Sequence, residues 1–350
     1  MSLHAASGDN TLLTTAVPEA TAEDAARIAR EHFGIEVEVA PLTSERDRNF
    51  HLVDGEGRGY VLKVGNSAED PAVINLQTEA LLHIERHDAS LPVPRVCRTS
   101  DGRTEHALTL GDRTHIVRLL TYLVGEPLYR TSASSAQREA LGHSLARLVL
   151  ALRDFRHPAA AHDLLWDIGN AARLRKWLPN IAEDELRSVA THTLDRFEAE
   201  IVPLQRQQRR QVVHNDFNPH NVLVDPGDPT RVTGVLDFGD MVETALVNDI
   251  AVAASYHFSG ARPLECAAEF VGAYHAVSPL QPEEIAILLD LIAIRHITTI
   301  TITEWRARLY PENRAYIMRN HPRAADGLRS FATIDRTEAQ RAFRRACAME

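Results

Sequence analysis

Cysteine is scarce in this chain. Three cysteines occur in 350 residues, Cys97, Cys266 and Cys347, an odd number at wide spacing. This usage predicts neither a disulfide framework nor a zinc cluster, and it fits a reducing, cytoplasmic setting. The composition is otherwise ordinary, with 44% hydrophobic and 25% charged residues, so fibrous and disordered proteins are excluded.

Excess positive charge and long apolar runs are also missing. The formal net charge is −10, which disfavours nucleic-acid and anionic membrane surfaces because both require a positive field. The most apolar stretch, residues 285–302, is interrupted by Asp290, Arg295 and His296. The N-terminus lacks a basic segment followed by an apolar run. We therefore expect neither secretion nor a membrane span. The negative net charge favours a small cationic molecule as the partner.

One motif carries most of the chemical information. His214, Asp216 and Asn221 form a His-x-Asp-x-x-x-x-Asn loop, and Asp237-Phe238-Gly239-Asp240 follows it. Phosphoryl transfer requires a carboxylate beside the attacking hydroxyl and oxygen ligands for Mg²⁺, and this loop and turn supply both. Short apolar strands are predicted at 211–213, 222–224 and 232–236. The order of strands and motifs indicates a kinase-like phosphotransferase, with Asp216, Asn221 and Asp237 as its catalytic residues.

The periodicity divides the chain into a β-rich part and a helical part. We predict an α+β, bilobal, protein-kinase-like fold with a small β-rich N-terminal lobe and a larger, mostly helical C-terminal lobe. Residues 1–15 are expected to be a disordered or tag-like N-terminus, 16–120 the nucleotide-binding lobe, 121–125 a hinge, and 126–350 the catalytic and acceptor-binding lobe. Strands are predicted at 36–40, 49–54, 59–64, 96–99, 105–110 and 114–120. Helices are predicted at 21–32, 71–87, 134–153, 170–178, 183–208, 246–258, 264–275 and 282–308.

A single lysine lies inside an apolar strand of the first lobe. Lys63 ends the segment Tyr-Val-Leu-Lys, where an unpaired ammonium would be costly to bury. Glu79, sixteen residues further on, falls within a predicted helix. We predict that the two form the strand-lysine and helix-glutamate ion pair that orients nucleotide phosphates in kinases. An exposed lysine on an edge strand is the alternative.

Several segments together resemble the aminoglycoside phosphotransferase and choline kinase superfamily, and the hydroxylysine kinases within it most closely. The matching segments are Arg-Asn-Phe-His at 48–51, Tyr-Val-Leu-Lys at 60–63, Arg-Leu-Leu-Thr-Tyr-Leu at 118–123, Leu-Asp-Phe-Gly-Asp-Met at 236–241 and Leu-Tyr-Pro-Glu-Asn at 309–313. They run from about residue 41 to 318. The resemblance implies a kinase that transfers the γ-phosphate of ATP or GTP to the hydroxyl of an amino acid or amino alcohol, with 5-hydroxylysine as the specific expectation.

The resemblance also implies roles for individual residues. Asp216 would be the catalytic base or hydroxyl-orienting carboxylate, and Asn221 and Asp237 would hold Mg²⁺ at the nucleotide phosphates. Lys63 would neutralise charge on the α and β phosphates. His214 is expected to brace the loop, and an acid at Asp249 is expected to do the same.

The nucleotide side departs from the protein-kinase pattern because the turn at 42–49 has no glycine. Such a turn approaches phosphates differently, which makes Ser44 and Asn49 candidate contacts, with a plain hairpin turn as the alternative. The segment 121–125 fits a hinge whose backbone, at Thr121 and Leu123, would bind the purine. Backbone recognition leaves ATP and GTP undecided.

An acceptor with two ammonium groups and a carboxylate requires acids and at least one cation. The candidates are Asp240, Trp166, Asp167 and Arg295. Trp166 could stack on a cation or belong to the core, and Arg295 could grip a carboxylate or pair with a structural acid.

Other readings of the same residues stay open. An aminoglycoside, choline, ethanolamine or homoserine could replace hydroxylysine as acceptor, and a non-catalytic nucleotide-binding module is possible for a kinase-like fold. His214, Asp216, His220 and Asp237 could instead ligate a hydrolytic metal, although that leaves Lys63 and Glu79 unexplained. The oligomeric state is undetermined.

Overall fold

The structure is a computed structural model, and it describes residues 15–44 and 46–349. These residues form two compact units. The first comprises the chain up to Gly125 together with Phe155–Asp163 and Thr233–Gly239, and the second comprises Glu126–Asp154, Leu164–Val232 and Asp240 onward. The division is therefore not linear in sequence, because the segment carrying Asp237 belongs with the N-terminal unit.

An antiparallel sheet and two helices make up most of the first unit. Its elements are α1 (Ala22–Ile28, continued by a π-turn at Ala29–Phe33), β1 (Val37–Leu42), β2 (Arg48–Asp54), β3 (Gly59–Val64), α2 (Pro71–His87), β4 (Val96–Cys97), β5 (His106–Leu110) and β6 (Arg113–Thr121). The strand order is β1-β2-β3-β6-β4, with β5 also paired to β6.

Local sequence explains where these elements begin and end. Thr21 and Asp24 form a capping box at the start of α1, and Gly34 at φ +69° ends its continuation, a conformation that glycine adopts without a Cβ penalty. Asp70 caps α2, whose first residue is Pro71, the position at which the missing N–H of proline costs least. The predicted bounds of α2 and β3 are confirmed.

The two faces of the sheet differ in chemistry. Alternating residues such as Phe50, Leu62 and Val117 are fully buried and pack with Ile28 of α1 in one hydrophobic cluster, as expected for a period-2 strand pattern. In the register of the ladder, Asn49 faces Lys63, which in turn faces Arg118. Polar groups of three adjacent strands are thereby aligned on the face that carries Lys63.

Helices dominate the second unit. They are α3 (Ser135–Ala151), α4 (Asp184–Arg196, continued by a π-turn at Phe197–Ile201), α5 (Val202–Gln205), α6 (Leu246–Ser255), α7 (Pro263–Val277), α8 (Pro282–Leu309), α9 (Arg314–Ile317), α10 (His321–Thr333) and α11 (Arg336–Ala346). Single 3₁₀ segments lie at Leu128–Arg130, Ile168–Asn180, Phe238–Asp240, Pro311–Asn313 and Met318–Asn320.

Short strands frame the motif loops. These are β7 (Glu126–Pro127), β8 (Arg210–Val213), β9 (Val222–Val224), β10 (Val232–Val235) and β11 (Val242–Ala245). β7 pairs with β9, and β8 pairs with β11, both antiparallel. The loop at 214–221 therefore begins and ends at buried strands of two different sheets.

α8 is the one helix among the described residues that is long and apolar enough to cross a membrane by length and composition alone. Its most apolar window is 94% buried within the structure, as in the core helix of a globular fold. Its three interrupting residues, Asp290, Arg295 and His296, are each buried.

The predicted class, a smaller β-rich part and a larger helical part, is confirmed. Details differ where local patterns mislead. The predicted helix at 183–208 is helical from Asp184 to Gln205 and contains a π-turn before Pro203, whereas the predicted α-helix at 170–178 is a 3₁₀ segment containing Pro179. Helices α9 to α11 were not predicted.

Candidate active site

Asp216 is held by three side chains of the second unit. Its Oδ2 accepts hydrogen bonds from Nδ2 of Asn218 at 2.9 Å and Nδ2 of Asn221 at 2.7 Å. Its Oδ1 lies 3.0 Å from Nη2 of Arg295. Donors at both oxygens fix the carboxylate in one orientation.

Buried groups behind Asp216 brace the loop. Nδ1 of His214, which is fully buried, accepts a hydrogen bond from the backbone N–H of Asp216 at 3.2 Å. The backbone N–H of Asn215 donates to Oδ1 of Asp249 at 2.7 Å. Asn215 has φ +62°, an unfavourable conformation for a residue with a Cβ, so these two contacts hold a strained turn.

The electrostatics of Asp249 follow from its position. Burial raises the pKa of this carboxyl to about 6, against the opposing influence of His214 and the hydrogen bond from Asn215. Desolvation disfavours the charged form of any acid. Asp249 thus supports the loop from the interior, the role that the family resemblance implies for it.

Arg295 reaches Asp216 from the middle of α8. Its Nη2 also donates to the hydroxyl of Tyr256 at 3.2 Å, and its guanidinium lies over the ring of Trp166 at 5.3 Å. The side chain is 3% exposed. Burial opposes its charge, but Tyr256 and Asp216 outweigh that effect and the pKa of Arg295 is raised. Arg295 thus pairs with an acid of the loop, which is one of the two roles that the sequence left open for it.

The other acceptor candidates fall into different environments. Trp166 is half-buried beneath Arg295. Asp240 is buried and adds to the negative field at Arg295. Asp167 is buried and accepts hydrogen bonds from Gly169 N–H at 2.9 Å and the Thr244 hydroxyl at 3.0 Å, and burial raises its pKa. Asp167 therefore braces its own segment, while Trp166 and Asp240 lie near Arg295.

In the first unit, Lys63 lies between two carboxylates. Its Nζ is 3.5 Å from Oδ2 of Asp47 and 4.0 Å from Oδ1 of Asp237. The side chain of Asp237 is 53% exposed, and the residue has φ +56°. A strained, exposed carboxylate beside a largely buried lysine is an arrangement that functional sites maintain.

The predicted ion pair between Lys63 and Glu79 is not formed. Within residues 15–44 and 46–349, the ion pairs of Lys63 are with Asp47 and Asp237. Helix α2 instead provides hydrogen-bond acceptors for a different cation. Arg118 donates to Oε1 of Gln77 at 2.8 Å and to the Ile74 carbonyl at 3.3 Å. The turn before β2 brings Asp47 to the lysine instead.

The remaining nucleotide candidates lie in the same unit as Lys63. Ser44 is half-buried. Oδ1 of Asn49 is buried without a hydrogen-bond partner in the described part of the chain. Thr121 is engaged with Arg95, whose N–H donates to its Oγ1 at 2.9 Å. The backbone of Leu123 makes no hydrogen bond with another described backbone group.

The donor atoms of the loop bear on which metal it could bind. No group of three or more His, Cys, Asp or Glu side chains suited to a metal ion occurs among the described residues. Asn221 uses Nδ2 for Asp216, so Oδ1 is the atom of this side chain that would ligate a metal. An amide oxygen and a carboxylate suit Mg²⁺, which prefers oxygen ligands and retains water.

Three residues of the site were missed from the sequence. Asn218 stands two positions after Asp216 within the motif, and Asp47 stands in the glycine-free turn, so both offered a local signal. Tyr256 offered none, since its contact with Arg295 depends on how α6 and α8 pack.

The fold and these residues define a kinase-like phosphotransferase. The model of the phosphotransferase enzyme family, APH, matches residues 38–287, and the chain belongs to that family. It is 28% identical over 329 residues to the hydroxylysine kinase of Mus musculus, covering 87% of each chain. It is 31% identical over 243 residues to the homoserine kinase of Methylobacillus glycogenes, covering 67% of this chain and 69% of that one.

Solved structures show the same fold. The amicoumacin kinase hAmiN, in complex with AMP-PNP, Ca²⁺ and Ami, superposes with a TM-score of 0.68 at 15% identity over 90% of this chain and 96% of that one. A microcompartment-associated aminopropanol kinase gives 0.68 at 20% identity over 87% and 94%. The kinase-like fold class is confirmed, and the protein is a small-molecule kinase of this superfamily.

Proposed function

We propose that this kinase transfers the γ-phosphate of a nucleoside triphosphate to the side-chain hydroxyl of 5-hydroxylysine. The observation that carries the proposed reaction is the orientation of Asp216 by Arg295, Asn218 and Asn221. A carboxylate fixed by donors at both oxygens is prepared to receive one hydroxyl in one direction, which is the task of the catalytic carboxylate in phosphoryl transfer.

In the proposed reaction, the acceptor hydroxyl donates a hydrogen bond to Asp216. Its oxygen forms a bond to the γ-phosphorus while the bond from that phosphorus to the β–γ bridging oxygen breaks. The hydroxyl proton passes to the Asp216 carboxylate, and the nucleoside diphosphate leaves. Asn218 and Asn221 hold Oδ2 throughout, and Arg295 holds Oδ1, so little reorganisation is needed as charge moves.

On the donor side, Lys63 is the cation for the nucleotide phosphates, and the backbone of Leu123 is the proposed purine contact. Asn221 and Asp237 are the proposed Mg²⁺ ligands, on the chemistry of their oxygen donors. The metal would neutralise phosphate charge. Either ATP or GTP satisfies a site that reads the purine through backbone groups.

The choice of hydroxylysine rests on two supports. The relatives named hydroxylysine kinases match 80–87% of this chain, whereas the homoserine kinases match 67%. The surroundings of Asp216 also include a buried acid, Asp240, which suits a cationic acceptor. Homoserine is the second candidate.

The test is an acceptor screen with purified protein, Mg²⁺ and either ATP or GTP, measured by nucleoside diphosphate release. The panel is 5-hydroxylysine, homoserine, ethanolamine, choline, 1-amino-2-propanol and an aminoglycoside. We expect the highest kcat/KM with 5-hydroxylysine. A higher value with another acceptor would overturn the hydroxylysine assignment.

Asp216→Asn is the matched variant because it keeps the size of the side chain while removing the charge. We expect kcat to fall by about 10²–10⁴, the usual contribution of a positioned acid or base, with nucleotide binding retained. Turnover that persists in this variant would show that another group accepts the proton. If the unsubstituted protein binds nucleotide but turns over no acceptor, that result would support a non-catalytic module.

A further inference from the structure

A cavity of about 240 Å³ lies in the second unit beside the catalytic loop. Pro219 of that loop forms part of its wall, together with Tyr129, Tyr256 and Cys266. The lining also includes two arginines, Arg138 from α3 and Arg323 from α10. Asn218, Asn221 and Arg295, which contact the carboxylate of Asp216, are not part of the lining, so the cavity adjoins the loop of Asp216 without including these contacts.

The size of the cavity limits what it can hold. Pockets for drug-sized ligands measure roughly 300–1,000 Å³, and this one is smaller. Leucine, proline and tyrosine side chains supply apolar wall, and the guanidinium groups supply hydrogen-bond donors. The space suits a molecule of few heavy atoms with a short apolar body and one polar head.

The charge of the lining is positive. Arg138 is compensated, because its Nε lies 2.7 Å from Oε2 of Glu269. Arg323 donates from Nη1 to the Tyr256 carbonyl at 3.0 Å and makes no ion pair with a carboxylate of the described residues. Arg323 is exposed, so its guanidinium is accessible, and a guanidinium that pairs with no acid has donors suited to a carboxylate or phosphate oxygen.

The pKa of His257, which also lines the cavity, reflects its burial and the positive charge of the two arginines. Burial and then the charges of Arg138 and Arg323 lower the pKa of its imidazole to about 3. The ring is therefore neutral near pH 7, and it offers one donor and one acceptor nitrogen. Two cations converge on this wall, although the chain as a whole has a net charge of −10.

We propose that this cavity binds a small ligand bearing a carboxylate or phosphate group, with the oxyanion held by Arg323. Tyr256 links the cavity to the reaction centre, since its hydroxyl accepts a hydrogen bond from Arg295, which contacts Asp216. The oxyanion has two possible sources. One is the anionic end of the acceptor or its phosphorylated product, and this source rests on the proposed function. The other is a separate small metabolite.

The first experiment measures binding of inorganic phosphate and of acetate by calorimetry at constant ionic strength. Lys63→Ala serves as the background, so that the nucleotide-phosphate cation does not contribute. Arg323→Gln removes the proposed anchor, and Arg329→Gln is the matched control because Arg329 lies on the same helix and pairs with Glu183. We expect binding at least fivefold weaker in Arg323→Gln and unchanged in Arg329→Gln. Equal binding in both variants would overturn the site.

A second measurement needs no substitution at the anchor. Cys266 lines the cavity, whereas burial raises the pKa of the Cys97 and Cys347 thiols to about 11 and slows their reaction. Phosphate should therefore protect Cys266 from a thiol reagent, as followed by mass spectrometry, with Cys266→Ser as the assignment control. Unchanged labelling at saturating phosphate would contradict the proposal, whether or not the enzyme turns over any acceptor.

Competition distinguishes the two sources. If the acceptor identified in the screen displaces phosphate and protects Cys266, the cavity receives the anionic end of the acceptor. If phosphate and acceptor bind together, the cavity serves a separate small anion. Failure of the acceptor screen leaves the calorimetric and labelling results interpretable, because neither depends on turnover.

Discussion

The guanidinium of Arg295 lies 3.0 Å from the carboxylate of Asp216, although 79 residues separate them in the chain. Arg295 is buried in the middle of α8, so the helix delivers a cation to a loop that begins at the end of β8. Burying a guanidinium is costly without compensation. We therefore expect the charge of Arg295 to have a functional task. The task that we propose is to fix Oδ1 of Asp216, the proposed catalytic carboxylate.

Replacing Arg295 with glutamine should lower kcat while leaving the KM for nucleotide within about twofold. Loss of one charge-assisted hydrogen bond corresponds to about 1.5–3 kcal/mol, or roughly 10- to 150-fold in rate. Arg308→Gln, an exposed change on the same helix, is the control. Arg295→Lys should recover part of the loss, because it restores the charge without the planar donors. A change confined to nucleotide KM would contradict this role.

The partner of Lys63 can be tested through stability. Lys63 and Asp47 have side chains only 13% and 16% exposed, so Asp47→Asn should lower the free energy of unfolding by about 1–2 kcal/mol. Glu79→Gln is the matched comparison and should cost less than about 0.5 kcal/mol. Chemical denaturation of both variants measures the difference. A larger loss of unfolding free energy in Glu79→Gln would support the ion pair between Lys63 and Glu79 that the sequence suggests.

Close packing of α3 against α7 depends on Gly142. A Cβ at this position would lie 2.4 Å from the Phe270 carbonyl oxygen and 2.9 Å from the Tyr274 nitrogen, and backbone atoms cannot move aside as side chains do. Gly142→Ala should destabilise the protein by about 1–3 kcal/mol, after any gain in helix propensity. Gly55→Ala, where nothing lies within 4 Å, should be neutral. The thermal unfolding midpoints of the two variants test this difference in stability.

Acid should destabilise the protein through His296. Burial, aided by the charge of Arg295, lowers the pKa of this imidazole from 6.5 to about 3. Between those values the unfolded chain binds a proton that the folded protein does not, so stability is fully present above pH 6.5 and falls as the pH drops. The slope is about 1.4 kcal/mol per pH unit, or roughly 2 kcal/mol between pH 6.5 and 5.

His296→Gln should flatten that part of the stability curve, because glutamine does not titrate. The exposed His192 provides the control substitution, since an exposed ring loses little hydration on folding. Denaturation midpoints at pH 7.5, 6.5, 5.5 and 5.0 give the slope for each protein. An unchanged slope in His296→Gln would show that other groups bind the protons.

Local patterns predicted much of the fold because many elements are specified by neighbours in sequence. The capping box at Thr21 and Asp24, the proline at the start of α2 and the alternation in β2 and β3 are each short-range signals. The helices after Tyr310 were not predicted, because the sequence of α10 contains no strong helix-start signal apart from Pro322. Its place is decided by packing against α8 and α4, which no local window contains.

The catalytic motif was readable for the same reason. Asp216, Asn218 and Asn221 fall within one loop, so their spacing alone sets which donors can reach the carboxylate. Lys63 could be recognised as an isolated cation in an apolar strand. Its partner could not, because Asp47 and Glu79 are both acids within reach in sequence, and only the hairpin geometry selects between them.

By itself, the sequence determined the class of chemistry, the catalytic loop and the division into a β-rich and a helical part, since these depend on residue type and short spacing. The tertiary structure decided that Arg295 serves Asp216, that Asp167 is an internal brace, and that Arg138 and Arg323 meet at one cavity. Those relationships join residues dozens of positions apart. They arise from the packing of helices, which one-dimensional patterns do not encode.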